Sequence, residues 1–184
     1  MKTTVYIATS VDGFIARPDG GIDWLHSTPS PSEGEDYGYR AFMDTVDVLV
    51  MGRNTYELVR TFGEWPYGDK PVVVLTSRGV DIPESIRETV ESMSDSPEDV
   101  VRRLAARGAN HLYIDGGKTI QGFLAAGLIQ RLIITKIPIL IGTGIPLFGP
   151  LPADVKLRHI ETRQYPSGLV QSEYEVEPFA TQSD

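Results

Sequence analysis

The stretch Val48-Leu49-Val50-Met51-Gly52-Arg53-Asn54-Thr55-Tyr56-Glu57 constrains this chain more than any other, because an apolar strand breaks at one glycine straight into a helix start. Such a junction leaves the first helical N–H groups without partners inside the helix. They face whatever lies beyond the strand's carboxyl end, where an anion is favoured. Gly52 lets a ligand approach the backbone, Arg53 offers a fixed cationic fork and Thr55 a hydroxyl donor, a set that suits a phosphate. The alternative is an ordinary strand-to-helix turn with a surface arginine.

Two further strand ends share this chemistry. Val72-Val73-Val74-Leu75 runs into Thr76-Ser77-Arg78, and Leu112-Tyr113-Ile114 runs into Asp115-Gly116-Gly117-Lys118-Thr119 at another helix start. In an open α/β sheet these loops line up along the carboxyl edge of the strands, the usual place for a nucleotide. Gly117-Lys118-Thr119 mimics the end of a P-loop, but the leading glycine of that motif would fall at Leu112, inside the strand. The P-loop is therefore rejected, and the Rossmann glycine pattern is absent.

Periodicity and turn signals predict strands over 4–9, 46–51, 71–76, 111–114, 131–141, 155–162 and 169–176, with a short one near 88–92. Helices are predicted over 36–45, 53–60, from Ser96 to Gly108 with supporting Glu98–Arg102 and Asp99–Arg103 pairs, and over 118–126. Strands alternating with helices and then a run of strands imply an α/β fold, its sheet mainly parallel with an antiparallel C-terminal edge. Only 27–35 and the tail after Pro178 read as loose, so residues 1–178 form one domain and 179–184 a disordered tail. A chain of 184 residues, 41% hydrophobic, can bury one substantial core.

The formal net charge of −8 argues against nucleic-acid and membrane partners. With no cysteine, zinc-thiolate sites and thiol catalysis are excluded, and a reducing, cytoplasmic setting is expected. No apolar run is long enough to span a membrane, and Met1-Lys2-Thr3-Thr4-Val5 enters a strand pattern with no signal peptide. His26, His111 and His159 lack metal-ligand spacing, so no metal site is expected.

The ordered blocks Ser10-Val11-Asp12-Gly13-Phe14-Ile15-Ala16, Asp23-Trp24, Met51–Glu57, Val74-Leu75-Thr76-Ser77, Asp115-Gly116-Gly117 with Phe123-Leu124, and Ile139 to Phe148 resemble the dihydrofolate reductase-like fold. They are closest to the reductase domain of bacterial riboflavin-biosynthesis deaminase-reductases and its stand-alone relatives. The resemblance implies a three-layer sandwich with helices on both faces of the sheet, and an NADPH-dependent reductase acting on a small heteroaromatic, ribosylaminopyrimidine- or pterin-like substrate. It puts Ala8, Ile15, Gly52, Arg53, Asn54, Thr55, Leu75, Thr76, Ser77, Arg78, Asp115, Gly116, Gly117, Lys118, Thr119 and Ile120 around the cofactor. Arg53, Ser77 and Arg78 would select NADPH over NADH. Asp12, Trp24 and Tyr56 would touch the substrate.

The family's substrate-facing carboxylate falls close to Asp36, which equally reads as a helix cap. Asp115 reads as a substrate or cofactor contact or as a hydrogen bond to its own loop. Asp12-Gly13 reads first as a tight turn, Trp24 first as packing, and Asp44 and Asp47 as surface or strand-entry residues. A dihydrofolate reductase proper clamps the folate tail with an arginine where this chain has Asp69-Lys70-Pro71, so folate is disfavoured. Residues 27–39 hold no basic side chain, which suits an uncharged or weakly cationic ring better than a phosphorylated one. A cofactor-binding sensor without turnover and an assembly protein remain alternative readings. The apolar run 133–141 predicts a core strand and a homodimer through the C-terminal strands.

Overall fold

Apolar strands without polar alternation need cover on both faces, and the helices that follow them provide it. The computed structural model describes residues 1–26 and 35–178. Among them are β1 (Lys2–Ser10), β2 (Phe14–Ala16), α1 (Tyr39–Asp44), β3 (Val48–Gly52), α2 (Arg53–Val59), β4 (Val72–Leu75) and β5 (Val90–Met93). Then come α3 (Pro97–Ala106), β6 (His111–Asp115), α4 (Gly117–Ala125), β7 (Arg131–Ile137), β8 (Ile145–Pro146), β9 (Leu157–Gln164) and β10 (Val170–Val176).

Eight strands form one sheet in the order β5-β4-β3-β6-β1-β7-β10-β9. From β5 to β7 all pairs are parallel; β10 joins both β7 and β9 antiparallel. Alternate residues divide the core. Val50, Leu112 and Ile114 pack with Leu104 of α3 and Phe123 of α4, while Leu49, Met51 and Tyr113 pack with Phe42 of α1 and Tyr56 of α2. The expected three-layer α/β sandwich is thus the observed one.

The departures have local causes. The helix expected from 36 starts at Tyr39, because Tyr37 (φ 59°) and Gly38 (φ 85°) both adopt left-handed backbone. Tyr37 is the one non-glycine to do so among the described residues. Three hydroxyl and amide donors hold it there: its carbonyl accepts from Tyr6 Oη at 2.8 Å, Gln171 Nε2 at 3.2 Å and Tyr165 Oη at 3.5 Å. The strand expected over 131–141 stops at Ile137, where Pro138 cannot donate to a ladder. On α3, Ser96 caps the Asp99 N–H at 3.2 Å as expected, but the ion pairs are Arg102 with Asp99 and Arg103 with Asp95, not the expected partners four residues apart.

Unforeseen was a small antiparallel ribbon, β2 with β8, lying off the main sheet. Strands of two or three residues are too short to show a pattern. The segment 27–34, which held most of the predicted loop, and the tail 179–184 lie outside the described residues. Among the described residues no helix is long and apolar enough to cross a membrane.

Candidate active site

Register brings three strand ends together. Gly52 pairs with Leu75, and Met51 with Asp115, so the loops after β3, β4 and β6 share one edge. Gly52 and Gly116 are the N-caps of α2 and α4, and neither helix start carries a side-chain cap. The two starts interlock. A β-carbon on Gly52 would stand 2.8 Å from Thr119 Oγ1, and one on Gly116, whose φ of 91° already favours glycine, would overlap the Thr55 hydroxyl. A β-carbon on Gly117 would meet Ile15 Cδ1 of the ribbon at 3.0 Å. Ile120 is fully buried and anchors α4, whereas Asn54 and Lys118 are exposed. Ala8 lies half-buried in β1, opposite Thr135.

Beside these starts a cleft of about 470 Å³ is lined by Arg53, Tyr56, Glu57, Arg60, Arg78 and the loop to Asp81. Arg53 Nε is 2.6 Å from Glu57 Oε1, which fixes the guanidinium at the mouth. The Arg78 N–H donates to Thr76 Oγ1 at 3.2 Å, and Ser77 is exposed next to it. Tyr56, expected at the substrate, is fully buried and donates to the Asp81 carbonyl at 2.9 Å, so it belongs to the core and the wall of this basic cleft.

On the α1–α2 side of the sheet lies a different environment. Asp115 ends β6 on the same face as Tyr113. Its Oδ1 accepts the Gly116 N–H at 2.8 Å, and among the described residues its other oxygen has no hydrogen-bond partner. Burial pushes its carboxyl up to about 6. Tyr6, Tyr39, Trp65 and Tyr67 pack against the same apolar cluster as Tyr113. Tyr6 meets Tyr39 edge-on at 5.5 Å, and Trp65 meets Tyr67 edge-on at 5.1 Å. Burial, and after it the Asp115 charge, pushes the Tyr39 hydroxyl up to about 12 and the Tyr67 hydroxyl higher still. Sequence reasoning reached Tyr39 only as part of the stretch 27–39 that suits an uncharged ring, and missed Trp65 and Tyr67; no spacing links a short helix to the 63–70 loop.

Three expected substrate-side residues are engaged elsewhere. Asp36 is exposed, and its two oxygens accept the Gly38 and Arg40 N–H groups, both at 3.0 Å; these bonds hold its carboxyl below the usual range. The structure therefore gives it the capping role. Asp12 accepts the Gly142 N–H at 2.8 Å and the Ile141 N–H at 3.3 Å, tying the β1–β2 turn to the loop before β8. Trp24 is 1% exposed and belongs to the packing of the core. Asp47, exposed at the entry to β3, accepts the N–H groups of Asn110 and His111. Among the described residues no cluster of side chains could hold a metal ion.

Residues 1–171 match the RibD C-terminal domain family. The protein YwjB of Bacillus subtilis is 39% identical over 168 residues, spanning 89% of this chain and 92% of its own. A candidate riboflavin biosynthesis protein from Shewanella sp. PV-4, known as a crystal structure, superposes with a TM-score of 0.90 at 43% identity, over 96% of this chain and 99% of that one. The diaminohydroxyphosphoribosylaminopyrimidine deaminase/5-amino-6-(5-phosphoribosylamino)uracil reductase of Thermotoga maritima superposes with a TM-score of 0.71 at 16% identity. That match covers 96% of this chain and 56% of the bifunctional one, and is a likeness of fold alone.

Proposed function

We propose that this chain, which belongs to the RibD C-terminal domain family of dihydrofolate reductase-like reductases, transfers hydride from NADPH to a small heteroaromatic substrate of the pyrimidine or pterin type. The observation that carries this reading is the meeting, at one sheet edge, of two uncapped glycine-opened helix starts with a carboxyl held near neutrality.

The residues fit the cofactor. Two adjacent helix N-termini present free N–H groups to a pyrophosphate, and the Arg53–Arg78 cleft beside them has the charge and volume for a phosphorylated ribose. Arg53, Ser77 and Arg78 would hold the 2′-phosphate, and Thr55, Thr119 and the Gly116-Gly117 backbone the pyrophosphate. Ile15, Ala8 and the β2–β8 ribbon would close over the nicotinamide end and exclude water. When bound, NADPH supplies the hydride.

The protein then has three tasks: to bind the ring, to orient it, and to manage one proton. Reduction of a ring C=N bond adds a hydride to carbon and a proton to nitrogen. Asp115, with one oxygen uncommitted and its carboxyl pushed up to about 6, is suited to hold and give that proton near neutral pH. This role passes to Asp115 from Asp36, whose oxygens are both committed to the backbone. Folate is a poor fit, because the Lys70 ammonium donates to the Val46 carbonyl at 2.6 Å and is not free to clamp a carboxylate.

The test is NADPH oxidation followed by absorbance over a panel of pterins and aminopyrimidines, alongside cofactor titration. Cofactor consumption with at least one ring supports the reading. NADPH binding without consumption across the panel would indicate a sensor, and no NADPH binding at all would overturn it.

A further inference from the structure

Three donors and one acceptor stand unused on the face that Asp115 shares with Tyr113. Among the described residues the hydroxyls of Tyr39 and Tyr67 have no hydrogen-bond partner, whereas those of Tyr6, Tyr56 and Tyr113 each donate to a backbone carbonyl. Trp65 Nε1, buried and in the ring adjoining Tyr67, has no partner either. Of these groups Trp65 Nε1 is fully buried, where an unpaired donor is unfavourable, while Tyr39, Tyr67 and Asp115 are half-buried; a face that sets them among aromatic rings suits the polar edge of a flat ligand. The acceptor is the second oxygen of Asp115.

Charge narrows what that ligand is. Burial raises the Asp115 carboxyl against the lowering effect of the Gly116 N–H, with no lysine or arginine contributing. The residues around it are aromatic, and the Tyr6 hydroxyl is raised first by burial and to a smaller extent by the neighbouring Asp36 and Glu35 carboxylates. Arg53, Arg60 and Arg78 lie in the other cleft, and Arg40, next to Tyr39 on α1, is exposed and acts on Asp36. A dianionic phosphate brought beside Asp115 would be desolvated next to a carboxylate on which no cation acts.

Resting on the reductase reading above, we propose that Tyr39 and Tyr67 are specificity residues that, with Asp115, take the edge of a flat, unphosphorylated heteroaromatic ring carrying an N–H donor beside a carbonyl or ring-nitrogen acceptor. In its ionised state, before it takes up the proton that it passes on, the Asp115 carboxylate accepts the ring's N–H, the two hydroxyls donate to the ring's acceptors, and the faces of the neighbouring aromatic side chains supply stacking area. The substrate would thus differ from the phosphoribosyl compound in the name of the Thermotoga maritima enzyme.

The test measures binding of cytosine, cytidine and cytidine 5′-monophosphate, the last two differing by the phosphate alone, by ligand-observed NMR. The protein carries Arg53→Ala and Arg78→Ala, which leaves the basic cleft only Arg60, paired with Asp81. Cytosine is expected to bind in the millimolar range, and the nucleotide at least about tenfold more weakly than cytidine. Tyr39→Phe and Tyr67→Phe, which keep the rings and should melt like the parent, are each expected to weaken cytosine by roughly two- to tenfold, as loss of one neutral hydrogen bond does. No cytosine binding, nucleotide binding equal to or tighter than that of cytidine, or cytosine binding unchanged in both variants would overturn the proposal. Because the assay uses neither cofactor nor turnover, ring binding with no NADPH binding by the wild-type protein would defeat the reductase reading and leave this one standing.

Discussion

Thr119 Oγ1 lies 2.8 Å from the point that a β-carbon on Gly52 would occupy, so the helix start after β3 and the helix start after β6 are fitted against each other through a missing side chain. Gly52 itself has ordinary extended backbone (φ −79°, ψ 161°), so alanine is barred there by space alone. Gly52→Ala is expected to lower stability by about 1–3 kcal/mol through overpacking. Adding Thr119→Ala should restore much of the loss in a double-mutant cycle read by denaturant melts. Strict additivity of the two changes would show that the loops are not in contact.

Cofactor preference is a second prediction. Charge-assisted contacts contribute roughly 1.5–3 kcal/mol each, so Arg53→Ala should weaken NADPH by about ten- to a hundredfold and NADH far less. Fluorescence titration with both cofactors decides it. Equal affinities in the wild-type protein would remove the proposed role of Arg53, Ser77 and Arg78.

Asp115 links stability to pH. Its folded value, raised by burial from 3.8 to about 6, means that the folded state binds more protons than the unfolded one between these limits. The stability associated with this group is therefore present below about pH 4 and lost as pH rises through about 6, by up to about 3 kcal/mol. Asp115→Asn should flatten that part of the profile and raise the melting temperature at neutral pH. Turnover of any accepted substrate should fall by about a hundredfold or more. An unchanged rate would take the proton away from Asp115.

Asp36 gives the opposite expectation. Asparagine accepts backbone N–H groups nearly as well as aspartate, so Asp36→Asn should alter neither rate nor melting temperature appreciably. Asp36→Ala, which leaves the Gly38 and Arg40 N–H groups without that acceptor, should lower the melting temperature and leave kcat/KM with the purified enzyme unchanged. A large rate loss in the asparagine variant would return Asp36 to the chemistry.

A homodimer is expected through the C-terminal strands. β9 is the outermost strand of the sheet and is exposed along most of its length, with Leu157 and Ile160 each 42% exposed. Light scattering on a sizing column should give twice the chain mass at micromolar concentration, and Ile160→Lys should shift it toward the monomer. A monomer mass for the wild-type protein would sink the idea.

The scaffold was more legible than the chemistry. Strand-glycine-helix junctions at Gly52 and Gly116 announce themselves because apolar period, glycine and helix start are contiguous, and the sheet class follows from their alternation. The acid did not, since Asp36 and Asp115 look alike as letters. What separates them is that Asp36 lies in a solvent-exposed turn that supplies it with N–H groups, while Asp115 ends a central strand with half its carboxylate unused. Nor could the sequence show that Tyr37 would adopt left-handed backbone and so delay α1 by three residues, because donors from β1, β10 and the turn between β9 and β10 impose it.

The order of the strands also bears on how the chain is made. β1 is flanked only by β6 and β7, with Lys2 opposite His111 and Thr4 opposite Arg131. β1 is therefore made well before either neighbour and waits while β2 to β5 follow it. Contacts so distant in sequence slow folding and leave an unpaired apolar edge open to other chains in the meantime. Any fragment that ends before β7 keeps that edge, so nascent or truncated forms should be far more prone to aggregate, and far more dependent on chaperones, than the finished protein.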